Sequence, residues 1–304
     1  MLTAFSVPKP FRGHIGVIQR NAIISWSLLR PRPEIILFGD EEGTAEIARE
    51  LGLRHVPEVR RNEHGTPLVN DIFAKAQSLA GRDILCYVNA DIVLLGDFMR
   101  AVQQVAPQVK QFLMVGQRTE VDLGMPIDFA LPDWETPVRA LASRQGKVGE
   151  RGAVDYLVFR RDLYSDVPPF ALGRLWWDDW FIWRARSLKV PVVDVSPVVL
   201  AIHQNHDYAH YPKGLAAMYE GEEAHANLKM AFAGWWIYSL DDTTHSLTTK
   251  GIRRDLGHLF GSIRRCLVYG WFRLLARSAP IRHPLGLRRR SIAALMTRMG
   301  LTKG

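Results

Sequence analysis

Short apolar runs alternate with helix-like segments through the first part of this 304-residue chain, and this alternation is the strongest constraint on its fold. The predicted elements follow in the order strand 14–18, helix 21–29, strand 34–38, helix 44–52, strand 53–59, helix 69–80, strand 84–95 with a polar break at 89–91, helix 98–105 and strand 112–115. Strands that alternate with helices predict an α/β fold in which a mostly parallel central sheet is flanked by helices.

The second part of the chain is less regular. Residues 119–152 are rich in Pro, Gly and charge, which predicts an excursion over the surface. The pattern then returns in a strand, a helix and an apolar stretch at 154–159, 177–188 and 190–202. We expect one domain over residues 1–250, with one half at about 12–118 and the other at 119–250.

The composition, 47% hydrophobic and 23% charged, is that of a globular protein rather than a disordered one. The two cysteines, Cys86 and Cys266, lie far apart and predict free thiols in a reducing compartment. The amino terminus lacks the basic start and apolar stretch of a secretory signal, and no apolar run approaches the roughly 18 residues of a membrane span. These features predict a cytoplasmic protein.

The net charge of +8 comes from the carboxyl-terminal segment, because residues 251–304 carry twelve Lys and Arg against one acid, Asp255. The body is mildly acidic, so we expect no nucleic-acid groove there. Leu and aromatic residues alternate with Arg in this segment, which predicts a basic amphipathic helical tail on an anionic membrane surface. A helix packed on the body and a nucleic-acid contact are the alternatives.

A polar step, Asn89-Ala90-Asp91, interrupts the apolar run between Ile84 and Leu95. An unpartnered carboxylate in a buried strand would cost several kcal/mol, so Asp91 needs a partner. In an open α/β fold, ligands usually bind at the carboxyl edge of the sheet, where a carboxylate such as Asp91 can contact them. A carboxylate is also an oxygen donor suited to Mg²⁺ or Mn²⁺. The alternative is a turn in which Asn89 and Asp91 cap local backbone groups.

Three segments in a fixed order carry a resemblance to a known family. The βα pattern ending in Asn89-Ala90-Asp91 is followed by Asp155-Tyr156-Leu157-Val158-Phe159, by Trp176-Trp177-Asp178-Asp179-Trp180 and by Ile202-His203-Gln204-Asn205-His206. This order resembles the GT-A-type glycosyltransferases of the nucleotide-diphospho-sugar transferase superfamily. The resemblance implies a GT-A-like sheet whose Rossmann-like first half binds a metal-bound sugar nucleotide and whose second half binds the acceptor.

On the donor side, the resemblance gives Asp91 the place of the acid that binds a Mn²⁺ or Mg²⁺ ion on the diphosphate. Asn89 stands where the family has another acid, which leaves open whether a metal is required. The further nucleotide-sugar residues it implies are Gln19, Arg20, Asn21, Asp40, Asn70, Asp71 and, as a cation for the diphosphate, Arg174. The alternatives are helix caps for Asn21 and Asp40, and solvated surface positions for Asp71 and Arg174.

Two adjacent acids, Asp178 and Asp179, lie at the start of a predicted helix among tryptophans. The resemblance implies that one takes the proton of the acceptor hydroxyl, and Arg184 follows Asp178 at the spacing of a related family motif, so Asp178 is the favoured base and Asp179 the second candidate. The acceptor residues would be Asp155, Trp176, Trp177 and Trp180. A carboxylate N-cap and core packing of the tryptophans are the alternatives.

Histidines cluster after the last apolar run, at 203, 206 and 210, next to Asp207. The resemblance implies that His203 or His206 completes the metal shell opposite Asp91, since neutral imidazole is a good metal ligand. A self-contained zinc site is the minority interpretation, because the spacing matches no strong zinc pattern.

The sequence as a whole predicts a cytoplasmic glycosyltransferase that moves a sugar from a nucleotide-diphosphate donor to a hydroxyl acceptor on a glycan or glycolipid. The basic tail predicts a peripheral location on the inner membrane face. Polysaccharide or glycolipid synthesis is the expected setting. A nucleotidyltransferase would share the sheet but needs a Gly-rich, basic phosphate loop after the first strand, for which Gly13-His14-Ile15-Gly16 is a poor match. A non-catalytic sugar- or lipid-binding protein would not depend on Asp91 and Asp178.

Overall fold

Two β-sheets and the helices around them make up the described residues, 1–206, 221–231 and 238–255, of this computed structural model. The strands are β1 Leu2–Ser6, β2 Glu34–Phe38, β3 Arg54–Val56, β4 Ile84–Val88, β5 Ile92–Val93, β6 Leu113–Val115, β7 Arg118–Val121, β8 Lys147–Val148, β9 Tyr156–Arg160, β10 Val192–Asp194, β11 Ala201–Gln204, β12 His245–Thr248 and β13 Gly251–Arg254. The helices are α1 Gly13–Leu28, α2 Thr44–Leu51, α3 Val69–Leu79, α4 Gly96–Val105, α5 Glu135–Gln145, α6 Trp177–Ser187 and α7 Glu222–Ala231, with a 3-10 turn at Leu240–Asp242.

The larger sheet has the strand order β13-β12-β10-β6-β9-β4-β1-β2-β3. Strands β3, β2, β1 and β4 run parallel to one another, as do β6, β10 and β12. Strand β9 lies between these two groups and is antiparallel to both of its neighbours, and β13 is antiparallel to β12. The predicted α/β fold with a mostly parallel sheet is therefore confirmed, with a mixed sheet as the observed form.

Alternate residues along each strand pack on opposite faces of the larger sheet. In β1, Leu2 and Ala4 belong to one hydrophobic cluster and Phe5 belongs to another. The first cluster takes side chains from α1, α2 and α4, whereas the second takes them from α3 and α6. Helices thus cover both faces, which is what strands buried on two sides require.

A smaller sheet with the order β5-β11-β7-β8 lies beyond the carboxyl end of β4. Strand β11 is antiparallel to β5 and parallel to β7, and α5 contributes Val138 and Ala142 to the core beneath this sheet. The prediction of an irregular excursion at residues 119–152 is wrong, because β7, α5 and β8 lie in this region. The strands are short and β7 pairs with a segment far along the chain, so the local pattern did not reveal them.

The first strand is Leu2–Ser6, and the predicted strand at 14–18 is wrong because these residues lie in α1. All five residues of β1 are buried, whereas within 14–18 only Gly16 and Ile18 are. A short apolar run with β-branched residues does not distinguish a strand from a buried helix. The larger sheet therefore begins at residue 2 of the chain.

At the other end, Gly251–Arg254 forms β13, so the predicted helical tail does not begin at residue 251. Residues 256–304, which hold the rest of the predicted tail, lie outside the described residues, as do Asp207 and His210. Within the described ranges, no helix combines the length and the apolar character needed to cross a bilayer.

The position of β1 can be tested by Phe5→Ala. The Phe5 ring is fully buried and makes edge contacts with Phe38, Phe73, Tyr87 and Phe159. We expect its removal to lower the free energy of unfolding by about 3–5 kcal/mol, measured by urea denaturation. Phe129→Ala, which removes a half-buried ring, is the control and should cost less. A Phe5→Ala protein as stable as the wild type would mean that residues 2–6 are not a core strand.

Candidate functional site

The segment Asn89-Ala90-Asp91 carries the chain from the larger sheet to the smaller one. Strand β4 ends at Val88, and β5 begins at Ile92. The backbone N–H of Asn89 still donates to the carbonyl of Asp155 at 2.9 Å, and the N–H of Ile92 donates back to the carbonyl of Asn89 at 3.1 Å. The polar step is thus a tight turn that delivers Asp91 to the carboxyl edge of the parallel strands, where ligands bind in open α/β sheets.

Asp91, His203 and His206 are brought together at this edge. The Nε2 atoms of His206 and His203 lie 3.3 Å and 3.8 Å from the Asp91 Oδ2 atom. One ligand atom from each residue fits within a group no more than 4.8 Å across. Antiparallel pairing places His203 opposite Ile92, and His206 follows two residues after the end of β11. The predicted association of these three residues, far apart in sequence, is therefore present in the fold.

The donor set fits a divalent cation. The Asp91 Oδ1 and His203 Nδ1 atoms are buried and have no hydrogen-bond partner among the described residues. Burial alone would raise the pKa of the Asp91 carboxyl, but the hydrogen bond from His206 and the charges of His203 and Lys9 outweigh it and hold that pKa far below its usual range. An ionised carboxylate with an unused buried oxygen, next to two imidazoles, is suited to a metal ion.

A buried pair of amides holds the backbone of Asp91. The Nε2 atom of Gln204 donates to the carbonyls of Ile18 and Asp91 at 2.8 Å and 3.0 Å. The Gln204 Oε1 atom accepts from Asn21 Nδ2 at 2.9 Å, and Asn21 also binds the backbone of Met125 and Ile127. Asn21 and Gln204 are buried. Asn21, predicted to contact the nucleotide, has its side chain committed to these internal contacts.

Lys9 is a cation at the same edge that the sequence did not single out. Its backbone N–H donates to Gln19 Oε1 at 2.6 Å, and Gln19 Nε2 donates to the Lys9 carbonyl at 2.8 Å. Gln19 is buried, so this predicted nucleotide residue holds the loop after β1 in place. Burial lowers the pKa of the Lys9 ammonium, and the nearby Asp91 carboxylate opposes that shift. Lys9 and Asp91 are therefore close enough to interact as charges.

Asn89 belongs to a different hydrogen-bond network. Its Nδ2 atom donates to Asp155 Oδ1 at 2.8 Å, and its Oδ1 atom accepts from the Tyr87 hydroxyl at 2.9 Å. Arg118 donates to both oxygens of Asp155, at 3.2 Å and 3.1 Å, and also pairs with Glu120 at 2.8 Å. The Asp155 carboxylate, predicted to contact the acceptor, is thus tied into this network. An amide is needed at residue 89 because it must both donate and accept.

Tyr87 marks the point where the predicted acids converge. Burial raises the pKa of its hydroxyl, and the charges of Asp91, Asp155 and Asp178 raise it further. All three carboxylates therefore lie near one phenol, although they come from different parts of the chain. Asp91, the predicted metal ligand, and Asp178, the predicted base, therefore both interact electrostatically with the Tyr87 hydroxyl.

The Asp178-Asp179 pair lies in the first turn of α6, as predicted. Asp178 is half-buried, whereas Asp179 is 8% exposed. Trp176, the residue before the first residue of α6, adopts a φ of 84°. This left-handed conformation costs a residue with a side chain of order 1–3 kcal/mol. Arg184 pairs with Asp166 at 2.6 Å. The acids thus receive the favourable field of a helix start, and the chain enters that helix through a strained residue.

Two of the predicted acceptor tryptophans pack in the core. Trp177 and Trp180 are 6% and 4% exposed, and both belong to the cluster under the larger sheet. The Trp177 ring contacts Tyr87 edge-on with centroids 5.1 Å apart, and Trp180 contacts Phe181 at 5.3 Å. Trp176 is half-buried. Among these three, Trp176 has the most surface left for a ligand.

The remaining residues that were predicted to contact the nucleotide sugar form local contacts within the protein or hold a buried polar atom. Arg20 pairs with Glu50 on the surface, and Asp40 pairs with Arg61, whose guanidinium lowers the pKa of the Asp40 carboxyl. Asp71 pairs with Lys75 and accepts from the Arg60 backbone. The buried Asn70 Oδ1 atom has no hydrogen-bond partner among the described residues. Their predicted contacts with a nucleotide stay predictions.

Arg174 forms a two-pronged ion pair with Glu223 of α7, through Nε at 2.9 Å and Nη2 at 2.5 Å. Both side chains are largely buried. Asn227 of the same helix donates to the carbonyls of Ala171 and Leu175. Helix α7 therefore holds the loop that leads into α6, and the predicted role of Arg174 at the diphosphate stays a prediction.

Sequence reasoning missed Lys9, Tyr87, Arg118 and Gln204. Gln204 lies between His203 and His206, and this position between two candidate metal ligands was the only signal for it in the sequence. Lys9 lay before the segment assigned as the first strand, so its position at a strand end was not visible.

No known protein-family profile matches this sequence, and no curated protein matches it. Among solved structures, the chain is similar to glucosyl-3-phosphoglycerate synthase from Mycobacterium tuberculosis in complex with Mn²⁺, UDP and phosphoglyceric acid, at 17% identity and a TM-score of 0.47, covering 77% of this chain and 78% of that chain. It is also similar to a protein of Desulfovibrio desulfuricans assigned to the nucleotide-diphospho-sugar transferases, at 12% identity, a TM-score of 0.41, and 76% and 95% coverage. A third match is TarS 1-349 of S. aureus in complex with UDP-GlcNAc, at 14% identity, a TM-score of 0.31, and 40% and 36% coverage.

The role of Asn89 can be tested by Asn89→Asp. This change replaces the donor that lies 2.8 Å from Asp155 with a second carboxylate. We expect the free energy of unfolding to fall by about 1–3 kcal/mol, measured by urea denaturation at neutral pH. The deficit should shrink on acidification, because protonation of one carboxyl removes the repulsion.

Asn205→Asp is a matched control, because Asn205 donates to Asp122 in the same way at an exposed site. Solvent screens that pair, so its loss should cost less. Equal stability of the Asn89→Asp and wild-type proteins would show that the amide is not needed.

Proposed function

We propose that this protein is a glycosyltransferase that moves a sugar from a nucleotide-diphosphate donor to a hydroxyl acceptor. The observation that supports it most directly is the group of Asp91, His203 and His206 at the carboxyl edge of the sheet, with Asp178 close enough to Tyr87 to interact electrostatically with its hydroxyl, as Asp91 does. A metal-binding group beside a separate carboxylate suits a reaction in which a diphosphate leaves and a hydroxyl loses its proton.

Asp91, His203 and His206 would hold the divalent cation. Imidazole nitrogens favour Mn²⁺ over Mg²⁺, which prefers oxygen ligands and near-ideal octahedral geometry. When bound, such an ion neutralises charge on the departing diphosphate. Three protein ligands leave coordination positions for phosphate oxygens.

Asp178 is the proposed catalytic base. It is half-buried at the start of α6, so its carboxylate keeps access to an incoming hydroxyl. It would take the acceptor proton as the hydroxyl oxygen bonds to the anomeric carbon of the sugar and the bond to the diphosphate breaks. The more deeply buried Asp179 would orient the helix start, and half-buried Trp176 and buried Asp155 would line the acceptor side.

Polysaccharide or glycolipid synthesis is the proposed setting, with a glycan or glycolipid as the hydroxyl acceptor. Attachment to an anionic membrane surface through the basic residues of 256–304 is proposed from the sequence alone.

A nucleotidyltransferase is the second candidate, because the loop after the observed first strand carries Lys9 and Arg12 before Gly13. Arg12 pairs with Glu42 on the surface, which leaves Lys9 as the basic residue near Asp91. The two activities release different products. A glycosyltransferase releases a nucleoside diphosphate from a nucleotide sugar, whereas a nucleotidyltransferase releases pyrophosphate from a nucleoside triphosphate and a sugar phosphate.

Metal binding can be tested with Asp91→Asn and His206→Ala. Each change removes one ligand from the group, so both variants should lose most of the Mn²⁺ affinity and of the Mn²⁺-dependent rise in melting temperature that we expect of the wild type. Electron paramagnetic resonance of unbound Mn²⁺ gives the affinity directly. His225→Ala, at an exposed residue of α7, should behave as the wild type. Unchanged Mn²⁺ affinity in both ligand variants would remove the basis for the metal site.

The catalytic assignment can be tested with Asp178→Asn. General base catalysis contributes about 10²–10⁴-fold, so the rate of sugar transfer should fall by that order while donor binding survives. Asp179→Asn should lower the rate less. If Asp179→Asn shows the large loss instead, the two roles are exchanged. If neither variant loses activity, the pair only stabilises the start of α6.

A further inference from the structure

We propose that Lys9 binds the diphosphate of the donor, next to the metal-binding group, and that its ammonium supplies the positive charge that a site with a single carboxylate ligand requires. This inference rests on the proposed glycosyltransferase function and assigns a second phosphate-binding group to the same site.

The strand register brings Lys9 and Asp91 to the same edge of the larger sheet. Strands β1 and β4 are parallel neighbours, with Phe5 opposite Tyr87. The hydroxyl of Ser6 donates to the carbonyl of Val88 at 2.6 Å, so the two strands end at the same level. Lys9 follows Ser6 by three residues, as Asp91 follows Val88. Both segments therefore leave the sheet at one edge, where the phosphates of nucleotides bind in open α/β folds.

The main chain at Lys9 is held from both sides by a buried side chain. Gln19 accepts from the Lys9 N–H and donates to the Lys9 carbonyl, at 2.6 Å and 2.8 Å. Gln19 lies between Ile18 and Asn21, in the part of α1 that also holds Gln204. The helix that supports Asp91 thus supports Lys9 as well. Such preorganisation reduces the entropy lost when a ligand is bound.

Lys9 offsets one of the negative charges of the loaded site. Asp91 contributes one negative charge, and a divalent cation with a sugar-nucleotide diphosphate contributes no net charge. Without Lys9 the loaded site would be negative in a partly buried environment, where an uncompensated charge is unfavourable. Without a ligand, the ammonium interacts electrostatically with the Asp91 carboxylate. With Asp91 holding a metal, the ammonium would be able to bind a phosphate oxygen, and Lys is a common phosphate ligand of this kind.

Two roles of Lys9 therefore predict opposite effects of its removal. As the counter-ion of Asp91, the ammonium repels an incoming cation, so its loss should strengthen Mn²⁺ binding in the absence of phosphate. As a diphosphate ligand, its loss should weaken phosphate binding in the presence of Mn²⁺. A lysine with only a structural role would not give these opposite signs.

The experiment compares the wild type with Lys9→Gln, Lys9→Arg and the exposed control Lys110→Gln. Mn²⁺ alone is titrated by electron paramagnetic resonance, and pyrophosphate is titrated by calorimetry at saturating Mn²⁺. Pyrophosphate is used because it carries the diphosphate group that all nucleotide-diphosphate sugar donors share. Melting temperatures establish that the variants are folded.

We expect Lys9→Gln to bind Mn²⁺ more tightly and to bind pyrophosphate about 10- to 100-fold more weakly, the range of a lost charge-assisted hydrogen bond. Lys9→Arg should retain most of the pyrophosphate affinity, and Lys110→Gln should match the wild type. If Lys9→Gln binds pyrophosphate as well as the wild type does, this inference is wrong while the metal site stands. If it binds both Mn²⁺ and pyrophosphate more weakly, Lys9 is structural. If the wild type binds neither, the proposed function fails together with the inference.

Discussion

The side-chain amide of Gln204 is the contact on which the geometry of the site depends. It joins three separate parts of the fold, because it donates to the carbonyl of Ile18 in α1 and to the carbonyl of Asp91 while its own oxygen accepts from Asn21. Gln204 is completely buried, so an unmade hydrogen bond here would carry the full desolvation penalty. The position of Asp91 is therefore coupled to the packing of α1, and a network of this kind specifies one arrangement of the core.

The acids near Tyr87 are kept apart by the groups between them. Asp91 is surrounded by His203, His206 and Lys9, which keep it ionised. Asp155 is satisfied by Arg118 and by the amide of Asn89. The amide therefore separates two carboxylates that would otherwise repel each other near the end of β4. This arrangement gives a physical reason for Asn at the position where the family resemblance implied an acid, and it leaves Asp91 as the single carboxylate in the metal-binding group.

The aromatic core gives α6 its orientation. Trp177, Trp180 and Phe181 pack into the cluster beneath the larger sheet, and Trp177 contacts Tyr87 directly. The start of the helix is therefore held against the strand that leads to Asp91. Because Asp178 follows Trp177 immediately, core packing also positions the acid at the site. The tryptophans thus contribute through packing more than through an open binding surface.

The sequence by itself determined the α/β class, the mostly parallel sheet, the helix start at Asp178-Asp179 and the choice of Asp91, His203 and His206 as candidate metal ligands. These features depend on local periodicity and on residue chemistry, both of which are visible in one dimension. Only the tertiary structure decided that residues 2–6 form the first strand, that a second sheet occupies part of 118–148, and that Asn21 and Gln19 support the backbone while Lys9 lies beside Asp91. Pairings between distant segments and the partners of buried polar groups arise from long-range packing, which no local pattern encodes.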